Sequence, residues 1–145
     1  MIAGSPDYIG HIILHHHHIL DGWAQLDQAV VSGGPVQRRH YGAEIERESF
    51  LMGMFNLAMG VAPIVAGQLP LAGRRRLLDL GGGPGTYAIH FCLAHRDLQA
   101  VIYDRPTTAP FARETVEKFG LTGRIDFHPG DFPCDRIDGG PYDAA

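Results

Sequence analysis

The sequence of 145 residues is poor in cysteine and carries no excess of basic charge. Its two cysteines, Cys92 and Cys134, stand in neither a CxxC nor a zinc-type spacing, so we expect free thiols rather than a disulfide framework or a metal site. The 12 Lys and Arg against 16 Asp and Glu leave a formal net charge of -4. DNA- and RNA-binding domains are usually strongly basic, so we expect no nucleic-acid partner.

Long apolar runs are absent as well. No run approaches the roughly 18 residues that a membrane span needs, and the first residues, Met1 to Pro6, lack the basic stretch of a secretory signal. We therefore expect a cytoplasmic protein without a membrane partner. The hydrophobic content of 45% over this length suffices for one globular core and not for two full domains.

The first half of the sequence has helical periodicity. A cap residue, a proline and an acid at residues 5–7 predict a helix start, and apolar residues then recur at three- and four-residue steps as far as Val31. The run Gly33-Gly34-Pro35 ends the pattern, so we predict one long helix over about 6–31. A second helix is predicted from about Glu44 to Val61, with a further one opened by Pro63 and running to about Gln68.

From Arg76 onward, short apolar runs alternate with helical segments, which is typical of a parallel sheet with crossover helices. The fold class predicted for this half is α/β, part of a Rossmann-like sheet. We assign residues 1–73 to a helical segment and 74–145 to the first half of the Rossmann-like domain. The predicted strands are 77–80, 99–103 and 124–128, and the predicted helices run over about 86–95 and 109–119. Thr108 is the candidate cap of the second of these helices, and Gly120-Leu121 is its stop signal. A fourth strand is predicted to begin at 142–145.

A glycine-rich turn separates the first predicted strand from the following helix. Gly81, Gly83 and Gly85 form a G-x-G-x-G pattern, in which missing side chains let a ligand approach the backbone and the start of the helix. The dinucleotide fingerprint G-x-G-x-x-G would require glycine where Thr86 stands. We expect a small polar ligand on this turn. Because of Thr86, NAD is only the second candidate for that ligand.

Acidic residues follow the second and third predicted strands at the same edge of the sheet. Asp104 can accept hydrogen bonds from both ribose hydroxyls of an adenosyl ligand, or it can serve as a cap before Arg105. After the third strand, Asp131 can accept the adenine amino group while Phe132 fixes the plane of the base, although Gly130-Asp131 is also a common surface turn.

Taken together, the segment 78–85, the pair Tyr103-Asp104 and the segment 130–132 resemble the small-molecule O-methyltransferases of the plant and hydroxyindole type. The likeness extends upstream to residues 23–26, to the pair Phe55-Asn56 and to Met59, where it resembles the family's segment that links its N-terminal domain to the cofactor fold. It therefore covers nearly the whole chain.

The resemblance implies S-adenosyl-L-methionine as the cofactor and assigns a role to each matching residue. Gly81 and Gly83 would contact its methionine part, Asp104 its ribose, and Asp131 with Phe132 its adenine. Phe55 and Met59 would line the cavity that holds the methyl donor and the acceptor, although their i, i+4 spacing on a helix also fits ordinary core packing.

The activity implied is methyl transfer to a hydroxyl of a small molecule, aromatic or polyketide-like, in a protein that is a homodimer at full length. The family's winged-helix dimerisation domain and its histidine general base have no counterpart within these 145 residues, so we assign no catalytic residue. The alternatives are the nucleotide-binding part of an NAD-dependent oxidoreductase and a non-catalytic fragment. Because the family's fourth strand pairs with the first, we expect an open edge there and a chain that is marginally stable or oligomeric.

A histidine cluster on the first predicted helix is a further candidate site. His11, His15 and His18 share one face at a spacing that metal ligands also use. Four consecutive histidines spread around the helix axis, so at most two or three rings can converge, and no carboxylate or cysteine pattern completes a set. We therefore interpret the cluster as a polar or cleft-facing stripe and expect no metal site.

Overall fold

The computed structural model describes residues 8–36 and 44–145. The chain forms two compact units, Met1–Asn56 and Leu57–Ala145. The predicted helix start at residues 5–7 lies outside the described residues. The predicted boundary after residue 73, which separates the helical segment from the Rossmann-like half, stays a prediction.

The first unit contains α1 (Gly10–Trp23), α2 (Leu26–Ser32) and most of α3 (Glu44–Met59). The prediction of one helix as far as Val31 was therefore wrong, and a competing hydrogen bond is the physical reason. The side-chain Nε2 of Gln25 donates to the Asp21 carbonyl at 2.7 Å, which in a continuous helix would accept the Gln25 backbone N–H. That N–H donates to the Gly22 carbonyl at 3.2 Å instead, and a new helix begins at Leu26.

Close packing between α1 and α3 holds the first unit together. A Cβ added at Gly53 would lie 3.0 Å from the Ile12 Cα, so glycine allows the two backbones to approach. Ile12 is buried, and the His18 Nδ1 lies 3.1 Å from the hydroxyl of the buried Ser49. Much of the predicted apolar stripe of α1 and α2 is nevertheless exposed: Ile13, Leu20, Trp23, Leu26, Val30 and Val31.

The second unit contains α4 (Ala62–Gln68), β1 (Arg76–Leu80), α5 (Thr86–Ala94), β2 (Gln99–Asp104), a short 3-10 helix (Pro106–Thr108), α6 (Ala109–Lys118) and β3 (Ile125–Pro129). The strands are parallel in the order β1-β2-β3, with Leu78 opposite Val101 and Ile102 opposite Phe127. The α/β fold class is confirmed, and the predicted strands and helices of this half agree with the observed ones to within two residues.

The core of the second unit lies on both faces of β2. Residues 100–103 of β2 are all buried, so side chains on both faces of this strand are covered. From α5 the side chains of Ile89 and Cys92 are fully enclosed, and from α6 that of Ala112 is. Gly120-Leu121 ends α6 as predicted, since the Leu121 N–H returns to the Val116 carbonyl at 3.1 Å. Both cysteines are free thiols, as predicted, with Cys92 buried and Cys134 exposed.

The last residues of the chain pair with the free side of β1. Ala144 forms a parallel bridge with Leu77, and its carbonyl accepts the Leu78 N–H at 2.9 Å. The Asp143 carboxylate accepts the backbone N–H groups of Arg75 and Arg76 at 2.7 and 2.9 Å, and these two bonds lower the pKa of Asp143. The expected start of a fourth strand is thus present, and it pairs with the beginning of the β1 edge.

Among the described residues, no single helix has the length and apolar character needed to cross a membrane. The consecutive helices α3 and α4 meet that requirement only when taken together as a bent pair, and only by length and composition.

Candidate functional site

The glycine turn after β1 has a backbone that only glycine adopts easily. Gly81, Gly83 and Gly85 have φ values of +70°, +55° and +83°, in the left-handed region where a Cβ is costly. The Gly81 N–H donates to the Tyr103 carbonyl at 2.8 Å, which fixes the start of the turn against the end of β2. Gly81 is exposed at the start of the turn, whereas Gly83 and Gly85 are buried next to α5.

Asp79 lies beneath this turn. A Cβ added at Gly82 would lie 2.5 Å from the Asp79 Cγ, so the carboxyl group fills the space that a side chain would need. Its Oδ2 accepts the Ala88 N–H in the first turn of α5 at 3.2 Å. Burial raises the pKa of Asp79, the hydrogen bond from Ala88 opposes that change, and the negative charge of Asp104 adds to it.

Asp104 links the glycine turn to the end of β2. Its Oδ2 accepts the Gly83 N–H at 2.8 Å, while its Oδ1 accepts the Arg105 N–H at 2.6 Å and the Thr108 hydroxyl at 3.2 Å. The structure thus brings together Gly83 and Asp104, two of the predicted site residues. The capping alternative was wrong, because the N-cap residue of the 3-10 helix is Arg105 and that helix has no side-chain capping bond.

The segment after β3 reaches the same edge of the sheet. The Gly130 N–H donates to the Asp104 carbonyl at 2.9 Å, and the Tyr103 hydroxyl occupies the space that a Cβ at Gly130 would need. The Phe132 ring lies beside the glycine turn, since its Cε1 is 3.9 Å from where a Cβ at Gly81 would stand. The predicted residues Gly81 and Phe132 are therefore neighbours.

Asp131 begins a surface turn, as the alternative interpretation of Gly130-Asp131 proposed. Its carbonyl accepts the N–H groups of Cys134 and Asp135 at 2.8 Å, and its own N–H donates to the Asp135 Oδ2 at 2.7 Å. Its side chain is exposed at the same edge as Phe132. A turn and a role in adenine binding are compatible, and the latter stays a prediction.

The two predicted cavity residues, Phe55 and Met59, lie one turn apart on α3 and are both half-buried. Met59 belongs to the second unit, where its Sδ lies 3.4 Å from the His90 Nε2 on α5. Burial lowers the pKa of His90, which favours the neutral ring. Phe55 belongs to the first unit, so its place in a cavity stays a prediction.

The histidines of α1 do not assemble a ligand set. Within residues 8–36 and 44–145, no group of three or more His, Cys, Asp or Glu side chains is arranged to hold a metal ion. His18 contacts Ser49, and the pKa of His15 is lowered by burial and then by the neighbouring His16 and His18.

Two polar residues of the site were missed by the sequence analysis. The sequence pattern indicated Asp79 only as part of the family motif and Thr108 only as a helix cap. In the structure Asp79 accepts the Ala88 N–H, and the Thr108 hydroxyl donates to Asp104. A sequence signal existed for Asp79, because an acid in a buried apolar strand directly before a glycine turn is unusual. Thr108 had no such signal, since threonine before a helix normally indicates a cap.

The parallel strand order, with a glycine turn directly after β1 and a carboxylate at the end of β2, is typical of a Rossmann-like nucleotide-binding fold. Residues 17–143 match the family model described as an O-methyltransferase domain. The chain belongs to this family, and S-adenosylmethionine is the cofactor that goes with it.

Individual relatives agree with the family model. The chain is 31% identical to the 3-hydroxy-5-methyl-1-naphthoate 3-O-methyltransferase of Streptomyces sahachiroi over 97% of its own length. It is also 31% identical to the N,N-dimethyltransferase OxyT of Streptomyces rimosus over 94% of its length. A solved structure of an O-methyltransferase family protein from Burkholderia thailandensis superposes with a TM-score of 0.77 at 31% identity, covering 89% of this chain and 40% of that one.

The chain spans 43% of the length of both enzymes from Streptomyces. What the similarity assigns directly is therefore the fold and the family of this part of the protein.

Proposed function

We propose that this chain is the cofactor-binding part of an S-adenosylmethionine-dependent methyltransferase, which methylates a hydroxyl of a small aromatic or polyketide-like molecule. The observation that carries the proposal is the Asp104 carboxylate, held between the glycine turn and the end of β2 by the Gly83 N–H. A carboxylate fixed at this place can accept hydrogen bonds from a ribose.

The described residues fit such a ligand. Gly81 is exposed and carries no side chain that would obstruct the methionine part, and the Phe132 ring beside Gly81 offers a face to the adenine. Asp131, exposed at the same edge, is proposed to accept the adenine amino group. Met59 and Phe55 are proposed as apolar walls of the cavity around the sulfonium and the acceptor, because an aromatic face attracts a cation.

When bound, S-adenosylmethionine supplies an activated methyl group on a sulfonium. The residues of this chain would bind and orient that group, and we assign none of them to proton removal from the acceptor. Methyl transfer requires the acceptor oxygen in line with the methyl–sulfur bond, so positioning contributes much of the rate. The naphthoate acceptor named for one relative supports an aromatic acceptor, and the N,N-dimethyl activity named for the other makes the acceptor atom the part of the proposal to test first.

We further propose that the full-length protein is a cytoplasmic homodimer that acts without nucleic-acid or membrane partners. The formal charge of -4 supports the part of the proposal that excludes nucleic acid, and the absence of a long apolar run in the sequence supports the part that excludes a membrane, whereas the homodimer rests on the family resemblance.

The test is calorimetric titration of the chain with S-adenosylhomocysteine and, separately, with NAD. We expect binding of S-adenosylhomocysteine alone. Asp104→Asn should weaken it roughly tenfold to a hundredfold, because hydrogen bonds to a charged acceptor contribute about 1.5–3 kcal/mol.

Asp126→Asn is the matched control, since Asp126 is exposed on β3 and should leave the affinity unchanged. Binding of NAD instead, or a folded chain that binds neither ligand, would contradict the proposal. Methylation assays with hydroxyl and amine forms of one aromatic acceptor, using the full-length protein, would then identify the acceptor atom.

A further inference from the structure

Thr108 stands at the junction of the 3-10 helix and α6, and its side chain does not cap the helix. Its backbone is already helical, with φ −85° and ψ −22°, because the 3-10 helix leads directly into α6. No side-chain capping bond forms there. Thr108 is 4% exposed, so its hydroxyl needs a partner inside the protein, and the Asp104 Oδ1 accepts it at 3.2 Å.

This bond determines how the Asp104 carboxylate is oriented. An ionised carboxylate offers about four lone-pair sites, and three of them are used here. Gly83 donates to Oδ2, and Arg105 and Thr108 donate to Oδ1. Arg105 is the adjacent residue and donates from the backbone, so only Gly83 and Thr108 hold the carboxylate plane from a distance along the chain. The remaining acceptor site lies on Oδ2, the oxygen beside the glycine turn.

We propose that Thr108 is a positioning residue for Asp104: the Thr108 hydroxyl holds Oδ1 so that the remaining acceptor site on Oδ2 faces a ribose hydroxyl of the adenosyl ligand. The inference rests on the proposed function, because it assumes that Asp104 accepts from a ribose. Thr108 itself is buried, so its effect on the ligand acts through Asp104. Its effect should therefore depend on the ribose hydroxyls of the ligand.

The test compares Thr108→Val, which keeps the shape and removes the hydroxyl, with Thr108→Ser, which keeps the hydroxyl. Each variant is titrated with S-adenosylhomocysteine and with its 2′,3′-dideoxy analogue. Thr108→Val should weaken binding of S-adenosylhomocysteine roughly threefold to tenfold, the range of one hydrogen bond. Thr108→Ser should restore it to within about twofold. The dideoxy analogue should bind to the wild type and to Thr108→Val equally well.

A purely structural role would weaken both ligands equally, and that result would overturn the inference. Unchanged affinity for S-adenosylhomocysteine in Thr108→Val would overturn it as well. Thr108→Ala supplies the same comparison if circular dichroism shows that Thr108→Val does not fold. The two proposals fail differently: a wild-type chain that binds no S-adenosylhomocysteine removes both, whereas weakening by Asp104→Asn but not by Thr108→Val removes only this inference.

Discussion

Asp79 carries an ionisable group into the interior beneath the glycine turn. Burial raises its pKa in the folded chain above the ordinary 3.8. At pH values between 3.8 and the raised pKa, Asp79 is therefore protonated in the folded chain and ionised in the unfolded chain. The contribution of Asp79 to the free energy of unfolding should therefore be most favourable at or below about pH 4 and decrease as the pH rises through the raised pKa.

We expect Asp79→Asn, which cannot ionise, to gain stability relative to the wild type over the same rise in pH. Urea unfolding between pH 4 and pH 8 measures the difference. Asp143, whose lowered pKa has the opposite effect, is present in both proteins and cancels. Asp126→Asn, at an exposed position on β3, is the control. A difference between Asp79→Asn and wild type that does not change with pH would contradict the expectation.

Some site residues could be predicted one by one, and others could not. Gly81, Gly83 and Asp104 follow from spacing, because a glycine pattern after a strand and an acid at the end of the next strand are local features of the sequence. The bond from Thr108 to Asp104 depends on the backbone angles at the junction of two helices. Those angles determine whether the threonine hydroxyl bonds to the N–H groups of the helix, as in a cap, or to a residue before the helix. The sequence pattern is the same in both cases.

Among the elements, the junction between the glycine turn and α5 is the most constrained. Gly85 is the N-cap residue of α5 at φ +83°, and a Cβ there would collide with the Ile102 side chain. Gly120, just after α6, also has a positive φ of +67°, but nothing lies within 4 Å of its added Cβ. A side chain would strain the backbone at both positions, and it would also clash with a neighbouring side chain at Gly85.

Gly120→Ala should therefore lower the free energy of unfolding by about 1–2 kcal/mol, the cost of a left-handed residue. Gly85→Ala should lower it by a further ~1–3 kcal/mol, because the fully buried Ile102 side chain must repack to accept the methyl group. Chemical denaturation of both variants measures the two costs. Equal destabilisation would mean that Ile102 changes rotamer without cost and that the junction is less tightly packed than described.

Element boundaries were predictable where glycine or proline marks them, as at Gly33 after α2, Pro63 in α4 and Gly120 after α6. The break between α1 and α2 was not predictable, because the apolar periodicity continues through it. A single side-chain bond from Gln25 to the Asp21 carbonyl replaces the backbone bond that a continuous helix would make there.

On the scale of the whole molecule, the helices of the first unit leave several large apolar side chains exposed. Trp23 is 64% exposed and Val31 is 89% exposed, on helices predicted to be amphipathic. Exposed apolar groups of this kind promote association. The expectation of a marginally stable or oligomeric chain, drawn originally from the edge of β1, therefore has a second physical basis, and it remains a prediction.

We expect the isolated chain to have a mass in solution above the 15.8 kDa of one copy. Substituting Val30 and Val31 together by lysine should shift the distribution toward the monomer. Gln68→Lys, at an exposed polar position on α4, is the control and should not shift it, because it adds the same charge without removing apolar surface. Light scattering coupled to size exclusion gives the mass, and a purely monomeric wild type would contradict the expectation.

The bridge between Ala144 and Leu77 also determines where in the sheet a ligand can bind. β2 pairs with one side of β1, and Ala144 pairs with the other side. The neighbours of β1 in the sheet therefore lie on opposite sides of it. β1 is thus the topological switch point of the sheet, where connections to the two sides diverge and leave a crevice at the carboxyl ends of the strands. The glycine turn begins at that point. The residues around the turn determine which ligand binds, whereas the order in which the strands join the sheet determines at which edge a ligand can bind.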